Sequence, residues 1–339
     1  MKFKKNNTFI IAEAGINHNG KLSIAKKMVK IAKCAGANCI KFQAFNINNL
    51  VSNKAKSARY QLKETNNNLQ KNVLQNLTLS KQNLSQLYNE CKKQKIEFLC
   101  TAFDKELLKY LVSLGMKKIK IPSGEITNFP YLIETAKYNI PIILSTGMSN
   151  MQEIKKAYEC LKSVNKNVDI SILHCTSLYP APNSTLNLKA ISSLSKKFKC
   201  TIGYSDHSKG NYASIAAVSL GAKIIEKHFT LNKNYSGPDQ SASANPKELK
   251  DLIENIRNLE KALGDGIKIA HKLEKNTADV ARRSWHANNN IAANSKIKLE
   301  DLILLRPGTG IESSKKLIGL KTKKNIKKGE IIKLSWLSQ

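Results

Sequence analysis

Short apolar runs rich in β-branched residues alternate along the chain with stretches whose apolar positions recur at helical spacing. Eight of the short runs read as strands, at 9–13, 39–43, 97–101, 118–121, 141–145, 169–174, 201–205 and 223–228. Between them the period lengthens. Residues 22–35 place Ile24, Met28, Ile31 and Ala32 on one helical face, and residues 81–94 turn Leu84, Leu87, Tyr88 and Cys91 inward behind Ser80 at an N-cap position. The 211–220 stretch is apolar nearly all round, as a helix covered by its neighbours would be. Asn245-Pro246 opens a last long helix to about Leu263, and Gly264-Asp265-Gly266 ends it.

This repeated strand–helix alternation predicts an α/β fold, a (β/α)8 TIM barrel over residues 1–266. A doubly wound open sheet is the competitor, but Gly15 and Gly20 do not form the glycine-rich dinucleotide turn after the first strand. Residues 46–79, rich in Asn and Lys, make one long connection from the end of the second strand and are expected to form an active-site loop. From there on the pattern changes twice. Residues 267–282 are polar and weakly patterned, a linker. Residues 283–339 hold short strand-like pieces between turn signals, a small β-rich domain with little room for its own core and an expected need for another surface.

Composition narrows the function classes. An apolar fraction of 41% suits a globular protein, no run approaches a membrane span, and Met1–Asn7 carries no signal-type apolar segment. A cytoplasmic protein without a membrane partner is expected. Cys34, Cys39, Cys100 and Cys160 sit in apolar periodic segments and read as reduced, buried thiols. The net charge of +31 raises nucleic acid as a partner. Yet arginine occurs only at 59, 257, 282, 283 and 306, the lysines are spread among asparagines, and stacking aromatics are sparse. We read the charge as a compositional bias with no specific nucleic-acid partner; a basic nucleic-acid-binding protein on a barrel scaffold is the distant alternative.

Barrel enzymes build their sites at the C-terminal ends of the strands, and here every strand delivers a polar group to that rim. Lys41 and Lys120 lie inside apolar strands, where an unpaired ammonium is costly, so they point to a bound phosphate or carboxylate. His207 and His228 end adjacent strands beside Asp206 and Glu226, which suits a shared metal ion. His18 and His174 are weaker candidates, and His271 and His286 read as surface residues.

The motifs on this rim resemble those of the sialic-acid synthase family, the synthases of N-acetylneuraminate, legionaminate and pseudaminate. The resemblance rests on Ala12-Glu13-Ala14-Gly15-Ile16-Asn17-His18-Asn19-Gly20, Lys41-Phe42-Gln43, Lys120-Ile121-Pro122-Ser123-Gly124-Glu125 and Leu144-Ser145-Thr146-Gly147-Met148. It continues through His174-Cys175-Thr176, Tyr179-Pro180, Ser205-Asp206-His207, Glu226-Lys227-His228-Phe229-Thr230 and Ser236-Gly237-Pro238-Asp239. Residues 283–339, with Arg306-Pro307-Gly308-Thr309-Gly310, resemble the family's antifreeze-like SAF module. Ser177 departs from the asparagine common at its position, Asn294-Ser295 from the usual Lys-Gly turn, and Trp285-His286 is an unusual pair.

The resemblance implies a transferase that joins phosphoenolpyruvate to an N-acetylated amino sugar. Lys41, Thr101, Lys120, Ser123, Ser145, Ser177 and Ser205 would bind phosphoenolpyruvate. His207 and His228 would hold Mn2+ or Mg2+ and take part in catalysis, the metal polarising the aldehyde oxygen. Glu13 would be the catalytic carboxylate that manages a proton. Gln43, Tyr179, Asp239 and Arg306 would hold the sugar, Arg306 reaching the barrel of the partner chain in a domain-exchanged homodimer. The expected acceptor is N-acetylmannosamine, making an N-acetylneuraminate synthase. The alternative is a 2,4-diacetamido-2,4,6-trideoxyhexose, making an N,N'-diacetyllegionaminate or pseudaminate synthase. An octulosonate- or heptulosonate-phosphate synthase is less favoured, because such enzymes need no antifreeze-like domain.

Overall fold

The apolar runs become strands because their side chains are buried on both faces, the pattern expected where a parallel sheet is covered on one side by helices and filled on the other. In this computed structural model, which describes residues 7–339, the first eight strands are β1 (Phe9–Gly15), β2 (Cys39–Ala44), β3 (Glu97–Ala102), β4 (Ile119–Ile121), β5 (Ile142–Ser145), β6 (Ile170–Cys175), β7 (Thr201–Asp206) and β8 (Ile224–His228). Their order, β3-β2-β1-β8-β7-β6-β5-β4, with parallel pairing throughout, is that of a TIM-like barrel nearly closed on itself. Register is set at the seam between the chain's first and last barrel strands. Ile11 stands opposite Glu226 and Glu13 opposite His228, so the polar ends of β1 and β8 arrive together.

The helices dock by the faces their spacing dictates. Leu22–Cys34 buries Ala25, Met28, Val29 and Ala32, a face rotated slightly from the expected one, with Ile24 and Ile31 at its edge. Lys81–Gln94 begins where Ser80 Oγ accepts the Asn83 N–H at 3.1 Å, and it buries Leu84, Leu87 and Cys91. Pro246–Leu263 begins with a reciprocal cap between Asn245 and Glu248 and buries Leu249, Leu252, Ile253 and Ile256. Its C-terminal half is tied to the start of the chain's first strand, as Arg257 donates to the carbonyl of Thr8, just before β1, at 2.9 Å.

The 46–79 connection, expected to form an active-site loop, is partly helical and brings Ala58, Tyr60 and Gln70 to the barrel mouth. It holds three short helices, Ile47–Leu50, Arg59–Thr65 and Gln70–Leu74. A satellite core of Ile16, Phe45, Val51, Val73 and Leu74 anchors it to the barrel rim. Two of the cysteine expectations also change. Cys34 is exposed because it ends its helix on the solvent side, and Cys160 is half-buried, while Cys39 and Cys100 are buried thiols.

The chain divides into two compact units, one ending at Gly264 and the other spanning Asp265–Gln339. The second is irregular, with paired strands Ser284–Ala287 and Leu302–Leu305 and a short helix at Lys275–Ala281. It owns a small core of Ile297, Leu302, Ile311, Leu317, Ile332 and Leu337. His286, read as a surface residue, is buried there, since the antiparallel pairing with Ile303 covers it and its Nδ1 lies 2.9 Å from the Ser284 carbonyl. His271 is exposed. Among the described residues no helix is long and apolar enough to cross a membrane. The lead Met1–Asn6, part of the stretch read as lacking a signal segment, lies outside the described residues.

Candidate active site

Strand alternation decides which rim side chains face the barrel mouth. At the end of β7, Ser205 and His207 face in and Asp206 faces away; on β8, Glu226 and His228 face in and Lys227 faces away. The inward four line a cavity of about 400 Å3. The outward two pair behind it at 2.9 Å, and Asp206 also accepts from Ser214 Oγ at 2.6 Å and the Ser208 N–H at 2.8 Å. Lys227 donates as well to the Ser208 carbonyl at 2.6 Å. This closed, buried network ties the segment that carries His207 to the strand that carries His228.

Of the residues expected to bind phosphoenolpyruvate, all seven line this cavity: Lys41, Thr101, Lys120, Ser123, Ser145, Ser177 and Ser205. Lys41 Nζ stands 2.8 Å from Glu13 Oε1, 3.2 Å from Thr101 Oγ1 and 3.7 Å from Glu226 Oε2. Lys120 Nζ donates to Ser145 Oγ at 2.7 Å and stands 3.3 Å from Glu226 Oε1. Ser205 Oγ donates to the same Glu226 oxygen at 2.9 Å. Ser123 Oγ accepts the Gly147 N–H at 2.9 Å. Only glycine fits at 147, because a Cβ there would come within 2.1 Å of Ser177 Oγ and 2.9 Å of Ser123 Oγ.

The two carboxylates of this network are pushed apart. Burial raises the Glu13 carboxyl above its ordinary range and Lys41 offsets this only in part. Burial also works to raise Glu226, but Lys120 and Lys41 outweigh it and hold the carboxyl low. Burial disfavours the charge of both lysines. Glu13 and Glu226 overcome that for Lys41, whose pKa rises, but Lys120 is left lowered. Glu13 accepts from Gln43 Nε2 at 3.2 Å, and its other oxygen, Oε2, is buried without a hydrogen-bond partner. An orphaned, up-shifted carboxyl at a ligand cavity is suited to hold or pass a proton.

The two histidines suit a metal. Their ring centroids lie 5.5 Å apart. His207 Nδ1 lies 2.8 Å from the Thr176 carbonyl, so that nitrogen donates and Nε2 carries the lone pair. Burial holds His228 neutral, with His207 and Lys41 adding to the effect, and its buried Nδ1 has no partner. Two imidazoles so arranged fit a divalent ion whose remaining positions go to water or substrate oxygens. No group of three or more His, Cys, Asp or Glu side chains able to hold a metal is found among the described residues.

Tyr179 stacks on His207 at 4.1 Å between centroids, and Tyr60 stacks on Tyr179 at 4.8 Å. Asp239 lies in an adjoining cavity with Gln43, Tyr60 and Tyr179, where burial pushes its carboxyl up to about 6. Arg306 stands in the second unit and is exposed. His18 is fully buried, held at about 4 by burial, and accepts the Gly20 N–H at 3.0 Å. His174 bonds the Leu186 carbonyl at 2.7 Å. Neither of these two lines the cavity. The sequence reading assigned no role to Cys175 and named Glu226 only as a neighbour of the two histidines, although both line it, as does Tyr60 of the 46–79 connection. Glu226 was findable, since a residue two before His228 on a strand shares its face.

A further cavity, of about 390 Å3, is lined by Lys227, Lys233 and Glu248. There Lys227 is paired with Asp206 and Lys233 with Glu248.

Comparison with known proteins identifies the family. The NeuB family profile matches residues 28–268 and the SAF domain profile residues 282–337. An N,N'-diacetyllegionaminic acid synthase of Campylobacter jejuni is 48% identical over 96% of this chain and 99% of its own length. Another of that name, from Legionella pneumophila, is 42% identical over 95% and 92%. A solved structure, the N-acetylneuraminic acid (sialic acid) synthetase of Leptospira borgpetersenii in complex with citrate, superposes with a TM-score of 0.73 at 35% identity, covering 82% of this chain and 94% of that one. With its barrel, its C-terminal SAF domain and this rim, the chain belongs to the NeuB family of sialic-acid synthases, phosphoenolpyruvate-dependent transferases that form a carbon–carbon bond.

Proposed function

We propose that this protein is an N,N'-diacetyllegionaminate synthase, condensing phosphoenolpyruvate with a 2,4-diacetamido-2,4,6-trideoxyhexose. The observation that carries the choice is the pair of relatives of that name, 48% and 42% identical over nearly the whole chain. The expected acceptor, N-acetylmannosamine, is the less well supported of the two, resting here on a solved N-acetylneuraminic acid (sialic acid) synthetase at 35% identity.

In this reading Lys41 and Lys120 exchange part of their pairing with Glu13 and Glu226 for the phosphate and carboxylate of phosphoenolpyruvate. The hydroxyls of Thr101, Ser123, Ser145, Ser177 and Ser205 complete that grip. C3 of phosphoenolpyruvate forms a bond to the aldehyde carbon of the open-chain sugar, water adds at C2, and the C2–O bond to phosphate then breaks. Products are a nonulosonic acid and inorganic phosphate. Glu13 takes the proton of the attacking water, for which its raised carboxyl and bare Oε2 equip it. His207 and His228 hold Mn2+ or Mg2+, which when bound supplies Lewis acidity toward the aldehyde oxygen. Gln43, Tyr179 and Asp239 orient the sugar. Arg306 completes the site from the partner chain of a cytoplasmic, domain-exchanged homodimer, as the family resemblance implies.

The test is phosphate release from phosphoenolpyruvate in the presence of Mn2+ with each sugar. A higher kcat/KM for the diacetamido sugar is expected. A preference for N-acetylmannosamine would reverse the assignment.

A further inference from the structure

A cavity of about 240 Å3 adjoins the barrel mouth, sharing Gln43, Tyr60, Gln70, Phe103, Tyr179 and His228 with the main one. Its remaining walls are largely apolar, built from Ile16, Phe45, Leu50 and Leu74 with the Gln61 side chain beside them. Ile16, Phe45 and Leu74 belong to the satellite core of the 46–79 excursion, and Leu50 and Phe103 pack against it. Phe45 and Phe103 meet edge to face at 6.1 Å. These walls are therefore packed in place before any ligand arrives. Asp239 also lines this space. Its backbone carbonyl is taken by Ser243 Oγ at 2.6 Å, but its carboxylate, in a residue only 6% exposed, has no hydrogen-bond donor or ammonium partner among the described residues.

We propose that this annexe receives the substituted far end of the sugar and selects an acetamido group and a terminal methyl over the hydroxyls of a simple N-acetylhexosamine. The inference rests on the synthase reading above and assigns a subsite and its residues within it. A sugar whose aldehyde lies beside His207 and His228 has to run its remaining carbons past Gln43 and Tyr179, two of the side chains common to both spaces. A hydroxyl carried against Phe45, Leu50 and Leu74 gives up its hydrogen bonds to water and finds no partner there, whereas a methyl displaces water favourably. An acetamido group suits both kinds of wall. Its methyl faces the apolar side, its N–H has an unpaired acceptor in Asp239, and its carbonyl has a donor in the side-chain amide of Gln70. The apolar wall discriminates modestly against a hydroxyl, and Asp239 and Gln70 add to this where a ligand lacking the acetamido group leaves them unpaired.

The experiment compares kcat/KM for 2,4-diacetamido-2,4,6-trideoxyhexose and for N-acetylmannosamine, with the full-length protein, Mn2+ and saturating phosphoenolpyruvate. Three variants on the excursion are measured. Leu50→Asn makes the wall polar, Leu50→Trp fills the space, and Leu62→Asn alters an exposed position outside it. Leu50 is only partly buried, so both changes there are compatible with folding, which thermal melts would verify. The expected result is that the ratio of kcat/KM values, diacetamido over monoacetamido, falls at least tenfold in both Leu50 variants and keeps its wild-type value in Leu62→Asn. If wild type prefers the diacetamido sugar and neither Leu50 variant moves the ratio, the annexe is not the subsite and the synthase reading stands. If wild type uses neither sugar, or prefers N-acetylmannosamine, both readings fall together.

Discussion

Lys120→Met isolates what the ammonium does at the base of the phosphoenolpyruvate site. Methionine keeps the unbranched stem, which is buried, and removes only the charge and its hydrogen bonds. In the free protein Nζ spends those bonds on Ser145 Oγ at 2.7 Å and on Glu226 at 3.3 Å. Glu226 would keep Ser205 at 2.9 Å and Lys41 at 3.7 Å, so the barrel loses one cation without leaving its carboxylate unpartnered. A hydrogen bond to a charged group contributes about 1.5–3 kcal/mol, and a preorganised donor in a dry site as much as about 4. A loss of about 2–4 kcal/mol in the transition state corresponds to a fall of about 30- to 900-fold in kcat/KM for phosphoenolpyruvate. The assay is steady-state phosphate release with each substrate varied against saturating partner, and the KM of the sugar should change far less. A normal phosphoenolpyruvate KM with a raised sugar KM would refute the placement of the anion over Lys120.

Exhaustive chelation should abolish turnover and Mn2+ should restore it rapidly, because two imidazoles make an open, exchangeable site; full activity in the His207→Ala/His228→Ala double variant would contradict this. Lys227→Met should destabilise the protein by about 3–5 kcal/mol, since it leaves Asp206 as a buried charge without its cation. In a thermal melt that is a drop of about 6–20 °C, and the Asp206→Asn/Lys227→Met double variant should recover much of it; an unchanged melt would show that the pair is not buried as described. Mixing His207→Ala with Arg306→Ala under conditions that reshuffle subunits should return activity to about a quarter of wild type if sites form across two chains. No recovery with heterodimers present would exclude the exchange.

The strands of the barrel were legible because a fully covered strand must be apolar on both faces, which leaves short β-branched runs such as Ile10-Ile11 and Ile142-Ile143. The caps at Ser80 and Asn245 were legible because they are local chemistry, one side chain and the N–H groups two or three residues on. Lys41 and Lys120 stood out for the same kind of reason, as charges inside apolar runs. His286 shows the limit of such reasoning. It read as a surface residue, and only the pairing of Ser284–Ala287 with Leu302–Leu305 encloses it.

What the tertiary structure decided is everything set by register between distant segments. Residue 13 meets residue 41, residue 41 meets residue 226, and residue 226 meets residue 120, so one carboxyl is raised and the other lowered by partners far away in sequence. The pairing of Asp206 with Lys227 behind the two histidines has the same origin. The excursion at 46–79 read as an active-site loop from its length and its Asn- and Lys-rich composition, but its own small core was not legible, because its apolar residues are scattered. They gather into one small core only when Ile16 and Phe45 from two barrel strand ends are brought against them. Local propensity and burial pattern are properties of neighbouring residues and survive in a linear text. Coulomb interactions, shared cavities and satellite cores depend on distances that only chain closure into the barrel creates.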